Sequence, residues 1–534
     1  MKKEQYWQDQ LNRLLNCDLK SLFPLAREKK RKLYFFVGPT NSGKTYQAMQ
    51  SLIDANCGVY LAPLRLLALE NYEYLRNSDI SASLITGEEE IIDEDGSHIC
   101  STIEMVNFNL DVDVCVIDEV QMLGDSDRGW AWVNAIVGAP ADKVIMTGSV
   151  NALDAIKKIA SYLEEDLEIV KFQRKNPLEV LAKPTPLKDL KKSTALIAFS
   201  RADVLKLKNK LSKWHKVSVL YGNLSPEVRR EEARRFREGE STILVATDAI
   251  AMGLNLPIET ILFTTDNKFD GTTQRKLLSN EVIQIAGRAG RYGHHESGYI
   301  GATTQSVLNH IDEIFHSSLK TIKPPFQVKA TTTQILGIAK HIKTKSIYKV
   351  LKYFSKYMNF TGPFEAANIS YMMDLASVLD EKKALKLDEK YMLSQAPVST
   401  KSPLIKRAYF YYINAIIKQE MVQYKPSIRL AGIVSSEKEL LQAEDEVKKI
   451  SLYLWFAYKL PELFPDSNKA ESARAIVNKI CEESLKSEKL AFVKKRRRES
   501  GGRYEPRGGR RANGRREEPR KESNKPPRRR KRRG

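Results

Sequence analysis

Hydrophobic residues in the first third of the chain form short unbroken runs and do not alternate with polar residues. Segments with a helical spacing of apolar residues, such as 45–53 and 64–75, separate these runs. Unbroken apolar strands that alternate with helices are typical of βαβ units, so residues 31–172 are predicted to form a parallel α/β domain. The predicted strands are LYFFV (33–37), GVYLA (58–62), VDVCVID (112–118) and KVIMTG (143–148).

The same pattern starts again after about residue 190, and it predicts a second α/β domain over residues 173–325. A helical stretch at 201–211 follows the first new apolar run, and Ser225 precedes Pro226 at the start of another. Serine caps helix N-termini, and proline fits the first helical turn. The predicted strands of this domain are 194–199, 217–222, 241–247 and 260–265.

Beyond residue 326 the strand pattern fades, and helical spacing appears at 366–379, 402–418 and 435–458. We therefore predict an all-helical C-terminal domain over residues 326–493. Residues 1–30 are predicted to form an N-terminal helical segment. Residues 494–534 contain Arg, Gly, Pro and Glu but almost no large apolar side chain, which predicts a disordered tail.

Charge is concentrated in that tail. It carries 20 Lys or Arg and 5 Asp or Glu, so it contributes +15 of the formal net charge of +21 and leaves +6 for residues 1–493. Such a segment suits a polyanion, either nucleic acid or an anionic membrane. One hypothesis is that it holds RNA near the rest of the protein. The alternative is a tail that only keeps the chain soluble or adheres to ribosomes.

The remaining composition argues against several classes of protein. The five cysteines form no C-x-x-C pair, so we expect no structural zinc, and the adjacent His294 and His295 are expected in a solvated loop. No apolar run reaches about 18 residues, so no membrane span is expected. The first residues lack a secretory signal, and Glu4 and Asp9 weigh against a mitochondrial transit peptide. These features predict a cytoplasmic location.

A phosphate-binding loop follows the first predicted strand. The string GPTNSGKT matches G-x-x-x-x-G-K-[ST], whose backbone N–H groups surround phosphates while the lysine reaches the β- and γ-phosphates. The last hydroxyl is a ligand for Mg²⁺, so ATP and Mg²⁺ are the predicted cofactors. The alternative is a simple turn, which the strand before it and the helix after it disfavour. The predicted nucleotide-binding residues here are Gly38, Pro39, Thr40, Asn41, Ser42, Gly43, Lys44 and Thr45.

Two carboxylates end the strand at 112–118. A carboxylate at the C-terminal end of a parallel strand lies beside the phosphate loop, so Asp118 is predicted to hold Mg²⁺ together with Thr45. Glu119 is placed to orient or deprotonate the attacking water. The alternative is that these residues only cap a helix after the strand.

Two arginines in the second α/β domain are candidates for contact with the γ-phosphate. They lie in QIAGRAGR, where Arg288 and Arg291 are three residues apart and would share one helical face. Cations are needed where charge accumulates in phosphoryl transfer, and an arginine from across a cleft can supply one. Together with Gln284 they complete the predicted catalytic set, and the alternative is a basic surface turn.

The order of these motifs resembles superfamily-two helicases of the DExH type. Within that group the chain is similar to the mitochondrial degradosome RNA helicase family and its bacterial relatives, most clearly in RGWAWVNAIVG (128–138) and LYLWFAYKLPELFPDS (452–467). The resemblance implies two tandem RecA-like domains, a helical C-terminal module and ATP-dependent unwinding of RNA, usually 3′→5′. The N-terminus and the Arg/Gly-rich tail depart from the family pattern, so location and tail function are not implied.

The resemblance also implies roles for individual residues. It places Pro63, Arg65 and Thr102 of the first domain, and Phe199, Ser200 and Thr247 of the second, near the nucleic-acid backbone. Gln121, Thr147 and Ser149 would couple the ATP site to the strand groove, and Gly253, Leu254 and Asn255 would border the nucleotide cleft. For polar residues at strand ends such as Arg65, Thr102 and Thr247, taken singly, loop solvation or helix capping is the alternative role.

Two features have competing interpretations. The segment that begins at 268–271 is either a strand-separating hairpin or an irregular connection. Trp130 and Trp132 either stack on a base or pack beneath the first domain.

The predicted function is an ATP-dependent RNA helicase that moves along single-stranded or partly duplex RNA and serves RNA turnover with a partner exoribonuclease, because no nuclease motif is recognisable. The alternative is an ATPase of the same superfamily that remodels DNA or ribonucleoprotein. A scaffold with a decayed nucleotide site is disfavoured because all the nucleotide motifs are present together.

Overall fold

The fold is known from a computed structural model, which describes residues 15–251, 254–291, 293, 295–398, 402–427, 432–434 and 436–487. The sequence predictions about the tail at 494–534, about Gly253 and about His294 concern residues outside these ranges.

The first RecA-like domain, here called lobe 1, is built on an eight-stranded sheet. All neighbouring strands run parallel except the short edge strand Glu90–Ile91, which pairs antiparallel with Ala82–Ile85. Its helices are Pro24–Glu28, Lys44–Ile53, Arg65–Arg76, Gly129–Gly138 and Leu153–Leu163. The strands lie side by side in the order Glu90–Ile91, Ala82–Ile85, His98–Thr102, Gly58–Ala62, Val112–Ile117, Ala141–Gly148, Lys32–Val37 and Leu167–Lys171.

The second RecA-like domain, lobe 2, has a six-stranded sheet that is parallel throughout. Ser225 caps the helix Pro226–Arg237 by accepting a hydrogen bond from the Val228 N–H, as the sequence predicts. The other helices are Arg201–Leu211, Ser279–Ala286 and Gln305–Phe315. The strand order is Leu178–Val180, Gly298–Ala302, Thr260–Phe263, Thr194–Ile197, Ile243–Ala246 and Val217–Leu220.

The C-terminal region is mostly helical, as predicted. Short strands also occur here, which the helical pattern did not reveal: Phe326–Val328, Asn359–Phe360 and Phe364–Ala366 form a small sheet with Asn16–Cys17. The helices are Thr332–His341, Ile347–Tyr357, Ser370–Asp380, Leu387–Leu393, Pro403–Lys418, Glu437–Lys459 and Ser467–Lys486.

The described part of the N-terminal segment is therefore only partly helical. It contains the strand Asn16–Cys17, the 3₁₀ turn Leu19–Leu22 and the helix Pro24–Glu28. Strands of two or three residues carry too few side chains to show a periodicity, so the sequence pattern could not separate them from loops.

Both sheets are covered on both faces, which explains why their strands read as unbroken apolar runs. One core cluster joins a face of lobe 1 to a face of lobe 2 and to the C-terminal helices, and two further clusters fill the opposite faces. The parallel strands of each sheet end at one edge, and polar loop residues collect there. The predicted motif residues follow or end these strands, so the fold brings them to the two sheet edges.

Candidate active site and nucleic-acid interface

The phosphate-binding loop lies between the strand Lys32–Val37 and the helix that begins at Lys44. Its curl needs two left-handed residues, Asn41 at φ 64° and Gly43 at φ 88°, and glycine adopts this conformation without steric cost. The Lys44 ammonium donates to the Pro39 carbonyl at 2.7 Å and lies 3.5 Å from Ser42 Oγ. Burial lowers the pKa of Lys44, although the carboxylates of Glu119 and Asp118 act in the opposite direction.

The Asp118 carboxylate lies at the centre of the hydrogen-bond network beside this loop. It accepts from Thr45 Oγ1 at 3.2 Å, from the buried Tyr60 hydroxyl at 2.8 Å and from Thr147 Oγ1. Burial, with the Asp118 charge next, raises the pKa of Tyr60 well above its ordinary value. The phenol therefore stays a hydrogen-bond donor and fixes the carboxylate against the Thr45 hydroxyl. This pair of hard oxygen donors fits Mg²⁺.

Glu119 occupies a left-handed backbone conformation, with φ 55° and ψ 49°, immediately after the strand. Burial, and then the neighbouring Asp118 charge, raise the pKa of the Glu119 carboxyl. Gln121 Nε2 donates to this carboxylate, and Gln121 Oε1 accepts from the Ser149 N–H at 3.2 Å. Thr147 donates a hydrogen bond to Asp118. Together, these contacts link the three predicted coupling residues to the two carboxylates.

Lobe 2 presents Arg288 and Arg291 to the same cleft. A cavity of about 180 Å³ is lined by the phosphate loop and Glu119 on one side and by both arginines on the other. Arg288 Nε donates to the Ala251 carbonyl at 3.0 Å. Burial lowers the pKa of Arg288, and it lowers that of Arg291 to about 10. Ligand pockets usually measure about 300–1,000 Å³, so this cavity is smaller than most.

The lobes approach closely at Gly287. A methyl group added at its Cα would come within 2.7 Å of Thr40 Cβ in the phosphate loop. Asn41 Nδ2 lies 3.4 Å from the Gly290 carbonyl on the same side. The phosphate loop and the arginine segment are therefore in direct contact.

Other predicted cleft residues take different positions. Gln284 lies one turn before Arg288 on the helix Ser279–Ala286 and is not among the residues that line the cavity. Asn255 is exposed, and its carbonyl accepts from Arg237. Its neighbour Leu254 lines the cleft, as predicted, and so does Leu256.

Arg65, predicted to contact nucleic acid, is bound by carboxylates. Its guanidinium donates to Glu88 at 3.0 Å, to Glu89 at 2.7 Å and to Glu227 of lobe 2 at 3.0 Å. Burial would lower the pKa of Arg65, but these carboxylates, Glu227 first, raise it above the ordinary value. Arg474 from the C-terminal region also contacts Glu88, at 3.3 Å, so all three parts of the protein meet here.

The remaining nucleic-acid candidates lie at the strand ends. Pro63 accepts a hydrogen bond at its carbonyl from Arg128, at 2.6 Å, and Thr102 ends the strand His98–Thr102. In lobe 2, Ser200 caps the helix Arg201–Leu211, and Thr247 Oγ1 accepts from the Ala249 N–H at 3.2 Å. Phe199 and Ser200 border a cavity of about 500 Å³.

The segment after residue 266 is a β-hairpin and not an irregular connection. Strands Asn267–Phe269 and Gln274–Lys276 pair antiparallel, and the Phe269 side chain beside the turn is 53% exposed. Glu281 accepts from both Lys268 and Arg275, which fixes the hairpin on the helix Ser279–Ala286. The hairpin also borders the cavity next to Phe199.

The packing interpretation holds for Trp132. Its side chain is fully buried, and its Nε1–H donates to the Asp118 carbonyl at 2.9 Å. Trp130 is half-buried and lies under the Lys329 ammonium, with 4.4 Å from Nζ to the ring centroid.

Two residues that sequence reasoning missed belong to this network. Tyr60 lies inside an apolar strand, where nothing in the pattern marks its hydroxyl, and Arg174 lies in the connection between the lobes.

No helix among the described residues is long and apolar enough to cross a membrane. The same residues contain no group of three or more His, Cys, Asp or Glu side chains that could hold a metal ion, and their cysteines are free thiols.

Comparison with protein families matches three separate parts of the chain. Residues 20–172 match the DEXQ-box helicase domain of Suv3, residues 178–293 the helicase conserved C-terminal domain, and residues 440–487 the ATP-dependent RNA helicase SUV3 C-terminal domain. The mitochondrial DExH-box ATP-dependent RNA helicase DExH16 of Arabidopsis thaliana is 34% identical over 480 residues, covering 88% of this chain and 83% of that protein. The chain belongs to the SUV3 family of ATP-dependent RNA helicases.

Two further members illustrate the range of the SUV3 family. The mitochondrial SUV3 of Oryza sativa subsp. japonica is 32% identical over 87% of this chain and 81% of its own length. The mitochondrial SUV3 of Saccharomyces cerevisiae is 32% identical over 87% of this chain and 66% of its own length. As a family member this chain is an ATP-hydrolysing RNA helicase, which confirms that part of the sequence prediction.

The predicted cytoplasmic location is wrong. The SUV3 relatives are named mitochondrial proteins, and they point to mitochondria instead. The prediction rested on composition and on the lack of a familiar targeting pattern. Targeting segments are addresses read by receptors, so the composition of a folded enzyme does not encode them.

Proposed function

We propose that this SUV3-family helicase uses ATP hydrolysis in the cleft between the lobes to move along single-stranded RNA and separate duplexes during RNA turnover. One observation carries the proposal: the phosphate loop of lobe 1 and Arg288 and Arg291 of lobe 2 line the same cavity. A nucleotide between them would join the lobes, and its hydrolysis would release them. The domain limits 31–172, 173–325 and 326–493 are part of the proposal.

In this mechanism each side chain of the cleft has a separate task. Lys44 would exchange its contact with the Pro39 carbonyl for the β- and γ-phosphates. Glu119 would orient and deprotonate the attacking water, and its raised pKa makes it a stronger base than an exposed carboxylate. Arg288 and Arg291 would stabilise the charge that accumulates during phosphoryl transfer.

The hydroxyl of Thr45 and the carboxylate of Asp118 would hold Mg²⁺, which supplies charge neutralisation at the phosphates when bound. The hydrogen bonds from Tyr60 and Thr147 keep this carboxylate in place before the nucleotide enters.

A strand-displacement assay tests the function. Substrates with 3′ or 5′ overhangs, in RNA and in DNA, are incubated with the full chain with and without ATP and Mg²⁺. We expect RNA unwinding that requires both ATP and Mg²⁺, that prefers the 3′ overhang, and that is abolished in Lys44→Ala. ATPase activity stimulated only by duplex DNA, or unwinding by Lys44→Ala, would contradict the proposal.

The hairpin Asn267–Lys276 is the proposed strand separator. Its support is the exposed Phe269 ring at the strand-end edge of lobe 2, held there by Glu281. Phe269→Ala should lower the unwinding rate severalfold and leave RNA-stimulated ATP hydrolysis unchanged, because the ring is not among the residues that line the cleft. The exposed Trp214, replaced by alanine, is the matched control. Equal unwinding by both variants would refute the wedge.

An exoribonuclease partner remains part of the proposal, because unwinding alone does not degrade RNA. Its support is the family resemblance of residues 452–467. Co-purification of a 3′→5′ exoribonuclease activity with the tagged full chain would test it, and RNA left intact by the purified complex would count against it.

A further inference from the structure

Arg174 lies in the connection between the last strand of lobe 1, Leu167–Lys171, and the first strand of lobe 2, Leu178–Val180. Its guanidinium is half-buried, and among the described residues all its hydrogen-bond acceptors are backbone carbonyls. No motif of the sequence includes this arginine, and the mechanism above does not use it.

These carbonyls belong to both lobes. Arg174 Nη1 donates to Thr40 of the phosphate loop at 3.2 Å and to Gly287 of lobe 2 at 2.8 Å. Arg174 Nη2 donates to Ala289 and, at 3.1 Å, to Gly290. One planar side chain therefore bridges the phosphate loop and the segment that carries Arg288 and Arg291.

The lobe 2 acceptors explain why a cation fits this place. They follow the C-terminus of the helix Ser279–Ala286, where carbonyls lack partners within the helix and the helix dipole is negative. Asn176, two residues further along the connection, supports the same segment by donating to Gly290 at 3.3 Å and to the His295 carbonyl at 2.6 Å.

A charge held only by carbonyls is costly. Burial lowers the pKa of Arg174 to about 10, and no carboxylate among the described residues accepts from it to offset that cost. A neutral side chain could fill this space at a lower desolvation cost. The arginine differs from it in offering five N–H donors in one plane, which can bond several carbonyls at once.

We propose that Arg174 is a positioning residue for ATP hydrolysis: it sets the distance of Arg288 and Arg291 from the phosphate loop by bonding both segments at once. The inference rests on the proposed roles of those two arginines. Three of its bridging acceptors lie in lobe 2 and one in lobe 1, so when the lobes separate the Thr40 bond breaks and Arg174 stays with lobe 2.

The test compares Arg174→Ala and Arg174→Lys in the full chain with saturating single-stranded RNA. In Arg174→Ala, kcat for ATP hydrolysis should fall by about tenfold or more, because displacements of about 1 Å at a reacting centre have effects of that size. The Kd for ADP should stay within about twofold of wild type, since in the proposed mechanism the phosphate loop binds ADP without lobe 2. Arg174→Lys should recover part of the kcat, because an ammonium can satisfy some of the carbonyls.

Arg229→Ala is the matched control, because Arg229 also donates to a carbonyl, that of Gly222 at 2.6 Å, away from the cleft. It should leave kcat unchanged. An unchanged kcat in Arg174→Ala would overturn the inference. The inference would also be overturned if the ADP affinity and the melting temperature of Arg174→Ala fell together with kcat, and if Arg174→Lys restored none of them. That pattern would indicate a purely structural role.

Arg288→Ala separates this inference from the proposed function. If Arg288→Ala and Arg291→Ala both hydrolyse ATP at the wild-type rate, the proposed roles of the two arginines are wrong and the inference fails with them. If they are inactive while Arg174→Ala is normal, only the inference fails.

Discussion

Replacing Gly287 by alanine adds one methyl group at a close contact between the lobes. Gly287 has φ −57° and ψ −14°, which alanine adopts without strain, and the nearest atom that the new Cβ meets belongs to the other lobe, with the Ile283 carbonyl of lobe 2 further away at 3.1 Å. The new Cβ would lie 2.7 Å from Thr40 Cβ, against the 3.5–4.0 Å or so that carbon atoms prefer. Thr40 Cβ is attached directly to the backbone, so the phosphate loop and the arginine segment must separate by about 1 Å.

We expect this displacement to lower kcat for RNA-stimulated ATP hydrolysis by about ten- to a hundredfold. The Kd for ADP should change little, because in the proposed mechanism the phosphate loop binds ADP without lobe 2. Gly222→Ala is the matched control, since its added Cβ would meet no atom within 4 Å. Steady-state ATPase kinetics and ADP titration measure both quantities, with melting temperature as a check on folding. Wild-type kcat in a folded Gly287→Ala protein would refute closure of the lobes at this contact.

Trp132→Phe should lower the free energy of unfolding by about 2–3 kcal/mol, because it removes the hydrogen bond to Asp118 and leaves a void; an unchanged urea midpoint would contradict this. Burial raises the pKa of Glu70 to about 7. The carboxyl ionises in the unfolded chain at about pH 4.5 but in the folded protein only at about pH 7, so the free energy of unfolding falls as pH rises over this range. Glutamine stays neutral, so the free energy of unfolding of Glu70→Gln should exceed that of the wild type by about 1–2 kcal/mol at pH 8 and by little at pH 5, as measured in paired melts. Deletion of residues 494–534 should raise the Kd for RNA and flatten its dependence on salt, with basal ATPase retained; an unchanged slope excludes the tail from binding.

The sequence alone determined features that depend on neighbouring residues. Unbroken apolar runs identified the parallel strands, since a strand covered on both faces must be apolar throughout. The phosphate loop was readable because Gly43 and Lys44 act through the local backbone. The cap at Ser225 was equally local. Asp118 and Glu119 could be placed beside the loop because parallel strands end at one edge of the sheet.

Only the tertiary structure decided which distant groups meet. It gave Arg65 three carboxylate partners, one of them from lobe 2, and it turned Arg174 onto carbonyls of both lobes. It also assigned Trp132 to the core and made the segment from Asn267 a hairpin. The partners of Arg65 and Arg174 depend on how the lobes and the C-terminal helices dock. Docking depends on the shape and charge of whole surfaces, and a local residue pattern does not encode these.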